Sequence, residues 1–87
     1  MRVDVEFDPA KDARNREKHG VPLLAGLAVI QNRIGEERDE RFAEPRFRTY
    51  GLIRDMLFVC VWTPRGEVIR LISVRPASRK EREAWLS

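Results

Sequence analysis

MLFVCVWTPRGEVIRLISVR, residues 56–75, is the stretch whose reading decides the fold. Residues 56–63 form a continuous run of apolar β-formers, the composition of a strand covered on both faces. Pro64-Arg65-Gly66 is a turn signal, and EVIRLISVR, 67–75, resumes the strand pattern. The pair predicts a hairpin at the middle of an antiparallel sheet. Upstream, FRTYGLI, 47–53, has the same character, with Arg54-Asp55 as a tight connection into the hairpin. Downstream, Pro76 ends the strand, and Ser78 is a candidate N-cap with Glu81 three residues on as its capping-box mate. SRKEREAWLS, 78–87, therefore reads as a short C-terminal helix.

Working towards the N-terminus, residues 31–45 are polar, with Asn32 and Gly35 as breakers, and allow a short edge strand around 33–38. Before them, Val21-Pro22 starts a helix whose Leu23, Leu24, Leu27, Ala28 and Ile30 form a broad apolar face despite Gly26. VDVEF, 3–7, alternates apolar and acidic residues, which predicts a half-buried strand over residues 2–7. Between the two, Asp8 and Pro9 supply an N-cap and a first helical residue, and Gly20 supplies a left-handed stop. The helix so bounded, KDARNREKH, has almost no apolar stripe and needs a reason to be held. Asn15 and His19 are candidates to hydrogen-bond backbone of the neighbouring connection. The expected fold is α+β, one small domain over 1–87: β-α-α, then a three- to four-stranded antiparallel sheet and a C-terminal helix.

Composition agrees with a single core. The 87 residues are 36% charged and 43% hydrophobic, and no apolar run approaches the roughly 20 residues that span a bilayer. Met-Arg-Val-Asp-Val is no signal peptide, so a cytoplasmic location without membrane contact is expected. Cys60, inside MLFVCVW, is the lone cysteine and reads as a buried thiol; one Cys and one His offer no familiar zinc spacing. Neither metal nor cofactor is expected. The net charge of +3 is concentrated locally: Arg46, Arg48 and Arg54 precede Asp55 without an acid among them. Arg75, Arg79, Lys80 and Arg82 face only Glu81 in their segment. Such clusters are how an electrostatic footprint for phosphates looks.

Three motifs in order, FDPAKDARNREKHGV (7–21), GEVIRLISVR (66–75) and PASRKEREAW (76–85), resemble the BrnT toxins of bacterial type II toxin–antitoxin systems. The resemblance covers nearly the whole chain; the acid-rich segment 35–44 fits loosely, and Trp85 stands where an aromatic, often Tyr, is expected. It implies a fold related to the RelE/ParE toxins and an endoribonuclease that arrests translation. It also implies a BrnA-type antitoxin that covers the toxin in a hetero-oligomer. DNA would be contacted only through that antitoxin, which represses the shared operon.

RNA carries its own nucleophile, the 2′-OH, so a metal-independent enzyme must align it, move its proton and neutralise the phosphoryl oxygens. Guanidinium groups suit the last task. His19, Glu67, Tyr50 and a pKa-shifted Lys18 are the conceivable proton shuttles. By strand parity Arg70 shares a face with Val68, Ile72 and Val74, while Arg75 shares the other with Glu67, Ile69, Leu71 and Ser73, the more polar set. Arg75 therefore ranks above Arg70, and a bulge would reverse the assignment. Arg48 and Tyr50 share a face, placing a cation beside a ring that could stack on a base. Arg48, Arg75 and Arg79, with Ser78, make the most economical phosphate-binding set, with His19 as a further catalytic candidate. Lys18, Tyr50, Arg70 and Lys80 join Ser78 as candidate RNA contacts.

Each has a plainer reading. His19 is explained by helix termination, Arg70 by pairing to an acid, and Arg79, Lys80 and Arg82 by a solvated helix face. Two other functions fit the same charges: a nucleic-acid-binding module without catalysis, or a protein-interaction module that holds an antitoxin.

Overall fold

The structure is a computed structural model that describes residues 4–87; the start of the strand expected from residue 2 lies outside them. Among the described residues five strands form one sheet: β1 (Asp4–Glu6), β2 (Arg33–Asp39), β3 (Arg46–Ile53), β4 (Met56–Arg65) and β5 (Val68–Pro76). Their spatial order is β1-β5-β4-β3-β2. The hairpin of β4 and β5 is indeed central, and β2 is the edge strand expected near residue 33. The sheet is mixed, not purely antiparallel. β1 adds to the free edge of β5 in parallel, pairing Asp4–Glu6 with Val68–Arg70.

The turns differ in one respect from the sequence reading. Arg54 and Asp55 both have positive φ, 51° and 66°, and join β3 to β4 as expected. The β4–β5 turn, however, is Gly66-Glu67, and Pro64 lies within β4, paired with Ile69 of β5. The β3 ladder ends at Phe47 opposite Trp62, so at Pro64 no N–H is needed on the β3 side.

Helix α1 (Pro9–His19) begins with the Asp8 side chain accepting from the Ala10 N–H and ends at Gly20, φ 69°. A 3-10 turn (Leu23–Ala25) leads into α2 (Gly26–Gln31), and α3 (Arg79–Leu86) closes the chain with the Ser78–Glu81 capping box intact. The second helix is shorter than expected and presents Leu23, Gly26, Val29 and Ile30 to the core, while Leu24 is exposed. Gly26 is there for space. A Cβ would stand 2.7 Å from Cys60 Sγ and 3.0 Å from a Val74 methyl, so the helix can lie this close to β4 and β5 only with glycine.

Two cores result, one on each face of the sheet. Leu23, Val29, Ile30, Cys60, Leu71 and Val74 pack together on the face covered by α2. Tyr50, Leu57, Val59 and Ala77 pack on the other, with Leu52 and Trp85 against them. Burial raises the Cys60 thiol pKa to about 12.

The parity assignment along β5 is corrected by a bulge. Val61 pairs with Ser73 but the next residue, Trp62, pairs with Leu71, leaving Ile72 extra. Leu71 and Val74 therefore reach the same core although their parity differs. Past the bulge Arg75 lies on the α3 side, on the face opposite Leu71, and Arg70, opposite Thr63, shares that α3-side face. The contrast drawn between Arg70 and Arg75 thus disappears.

Candidate functional site

The polar helix α1 is held by Asn15. β1 covers β5 only as far as Arg70, so beyond it the backbone of β5 has no strand neighbour on that side among the described residues. Asn15 takes the strand's place. Its amide donates to the Val74 carbonyl (2.8 Å), its oxygen accepts from the Val74 N–H (3.2 Å), and its second N–H reaches the Val21 carbonyl (2.7 Å). Asp12 adds a bond by accepting from the Leu23 N–H at 2.8 Å. The expectation for Asn15 is met, and the helix needs no apolar stripe because it docks through a carboxamide.

Docking in this way creates a groove between α1 and the β5 edge, of about 330 Å³, lined by Lys11, Arg14, Asn15, Lys18, His19, Ile72 and Ser73. No carboxylate lines it, and none of Lys11, Arg14, Lys18 and His19 forms an ion pair among the described residues. Helical spacing explains the grouping, since positions 11, 14, 15 and 18 fall on one face of α1. Lys18 and His19 were singled out from the sequence; Lys11, Arg14 and Ser73 were not. The i, i+3, i+7 run of cations was visible, but its partner wall on β5 was not.

The α3 side carries a different arrangement. Arg75 makes a two-pronged ion pair with Glu81, at 2.6 and 2.8 Å. That pair, with the Ser78 N–H, holds the Glu81 carboxyl down at about 2. The Tyr50 hydroxyl lies 2.7 Å from Glu37 and 3.3 Å from Glu81. Burial and the adjacent Glu37 raise its pKa to about 12. Arg48 sits 3.8 Å from Glu37 and 3.6 Å from Asp39. Asp39 in turn is bonded by Arg41 and held near pKa 2. Cations and carboxylates thus alternate across this face.

Several expectations for individual residues change here. Tyr50 has no face for a base: it is 2% exposed and stacked on Trp85, with ring centroids 4.8 Å apart. Ser78 caps α3, accepting from the Glu81 N–H. Arg79 is bonded to Glu83 at 3.1 Å on the exposed surface, and Lys80 is exposed beside it. Arg70 lies 3.6 Å from Glu6, the acid-paired strand residue of the plainer reading. Arg48, Arg75 and Arg79 therefore each hold a carboxylate already, and Glu67 lies in the exposed turn after β4. The structure brings His19 together with Lys18 and not with the arginine set.

Fold and groove together define a small basic α+β domain with a cationic cleft whose Lys11, Arg14, Lys18 and His19 form no ion pair among the described residues. No three or more His, Cys, Asp or Glu come together as metal ligands, and no helix is long and apolar enough to cross a membrane, both among the described residues. A family model described as the ribonuclease toxin BrnT of type II toxin–antitoxin systems matches residues 7–81, and the chain belongs to that family. Membership in a type II system implies an antitoxin as partner. No curated protein sequence matches the chain.

Proposed function

We propose that this protein is a metal-independent endoribonuclease toxin whose reaction takes place in the α1–β5 groove. The observation that carries the reading is the cleft of Lys11, Arg14, Lys18 and His19 with no carboxylate in its lining. A phosphodiester entering it meets unpaired cations, whereas on the α3 side it would have to displace a carboxylate from Arg48, Arg75 or Arg79. His19 brings the groove's one imidazole, whose two ring nitrogens can accept a proton and give one up, so it is the proton shuttle. His19 takes the proton of the 2′-OH, whose oxygen attacks the adjacent phosphorus. The bond to the 5′-oxygen breaks, leaving a 2′,3′-cyclic phosphate, and Lys18 or water protonates the departing oxygen. Lys11 and Arg14 neutralise charge on the phosphoryl oxygens.

Arg75 and Arg48 act in this scheme by fixing the α3 side of the sheet. In the cell the protein would cut messenger RNA in the cytoplasm and so stop translation. A BrnA-type antitoxin would neutralise it in a hetero-oligomer, and the RelE/ParE relationship in fold belongs to the same reading. The test is cleavage of purified messenger RNA in the presence of EDTA by wild type, His19→Ala and Arg75→Ala, with folding followed by circular dichroism. Loss of about 100-fold or more in His19→Ala is expected. Wild-type cutting that His19→Ala retains would remove the shuttle from this histidine. No cutting by folded wild type would leave a binding module.

A further inference from the structure

A second pocket, at the β2–β3 end of the sheet, contributes no reacting group to that scheme. It encloses about 200 Å³ between Asp39, Arg41, Phe42, Arg46, Arg48 and Val61. Phe42 is 43% exposed, with the Arg46 guanidinium over its ring at 3.8 Å from the centroid and that of Arg41 at 5.7 Å. The segment carrying the ring is tied down on both sides. Thr63 donates to the Pro45 carbonyl at 2.6 Å, Arg65 pairs with Glu44 at 3.0 Å, and Arg41 binds Asp39. An aromatic ring held in the open with a guanidinium on it offers a flat surface for a planar partner. Asp39 engages both Arg41 and Arg48, so what the pocket adds to its remaining positive charge is the open ring, a surface for a base.

Its place in the sheet connects it to the groove. Val61 lines this pocket and is the cross-strand partner of both Arg48 and Ser73, and Ser73 lines the groove at α1. Arg48 and Ser73 are therefore two strand spacings apart, roughly 10 Å between Cα atoms. One strand of nucleic acid can reach from the first site to the second across Val61.

We propose that this pocket is a base-binding subsite for single-stranded RNA: a nucleobase stacks on Phe42 backed by Arg46 while the chain continues across Val61 into the α1 groove. The assignment rests on the reading of that groove as the phosphate site. A base must leave its helix to stack in this way, so single strands are preferred over duplex.

The experiment is fluorescence anisotropy with a 2′-O-methyl oligonucleotide, which cannot be cut, as a single strand and as a duplex. The proteins are wild type, Phe42→Ala, Phe42→Leu and the double variant Lys11→Ala/Lys18→Ala, each checked by circular dichroism. Both Phe42 variants should bind the single strand roughly 5- to 150-fold more weakly, because leucine restores apolar bulk but not the stack. Duplex binding, weaker in wild type, should change little. Wild-type affinity in both Phe42 variants would overturn the subsite, as would a Phe42 effect seen only on neutralisation by the antitoxin, or loss of fold in both variants. Unchanged binding in the lysine variant alongside weakened Phe42 variants would instead remove the groove as the phosphate site. No binding of the single strand by wild type would remove both.

Discussion

Replacing Asn15 with alanine should loosen the whole α1 side of the molecule, and the size of the effect can be worked from its bonds. In an antiparallel ladder the N–H and C=O of one residue point to the same side. Those of Val74 point away from β4, towards Asn15, and both bonds are buried. Alanine leaves this donor and this acceptor without partners and also releases the part-buried Val21 carbonyl. An unsatisfied buried group costs about 1–3 kcal/mol, and water entering from the groove would recover part of it. The net loss is expected at about 2–4 kcal/mol.

A chain of 87 residues has a total stability of roughly 4–13 kcal/mol, so this is a large share. Urea unfolding followed by far-ultraviolet circular dichroism gives the loss directly. On heating, a domain of this size should shift by roughly 4–8 °C for each kcal/mol. Asn15→Asp is expected to fall nearly as far, since it keeps the acceptor for the Val74 N–H but loses both donors. A loss below about 1 kcal/mol for Asn15→Ala would refute the argument that one carboxamide replaces a strand at this edge.

Two further outcomes follow from packing and charge. Gly51→Ala would drive a Cβ into the Val29 carbonyl, a backbone atom that no rotamer change moves aside. Overpacking of about 1–3 kcal/mol or more is expected, read as a lower urea midpoint; an unchanged midpoint would mean that α2 slides over β3 without cost. The Glu81 carboxyl is held at about 2, below its ordinary 4.5, chiefly by Arg75. A depressed carboxylate contributes stability above its unfolded pKa, and that contribution disappears as pH falls from about 4.5 through 2. Glu81→Gln should therefore be less stable than wild type at neutral pH and lose less in that acid window. Parallel pH curves for the two proteins would show that the ion pair with Arg75 contributes nothing to folding.

The local punctuation was legible from residues alone because its causes are local. Asp8, Pro9 and Gly20 bound α1 through backbone hydrogen bonds and a left-handed turn that depend on a few neighbours. Ser78 and Glu81 start α3 for the same reason. The apolar run 56–63 gave away the central strand because a strand covered on both faces has little choice of residue. The family, too, was readable, since three ordered motifs span most of the chain.

Other features depended on partners distant in sequence. Pattern alone did not show that β1 joins β5 in parallel, or that one inserted residue at Ile72 turns Arg75 to the face opposite Leu71. Ion pairs were equally hidden: only the folded sheet places Glu37 and Asp39 beside Arg48. Arg48 and Arg75, which looked free along the chain, are thereby occupied, while the plain polar helix α1 faces a bare strand edge. By itself the sequence determined which segments form most of the strands and helices, where α1 and α3 start and stop, and the family. The tertiary structure alone decided which cations remain unpaired, because charge pairing is set by distance in space and the acids that hold Arg48 and Arg75 come from other elements of the fold.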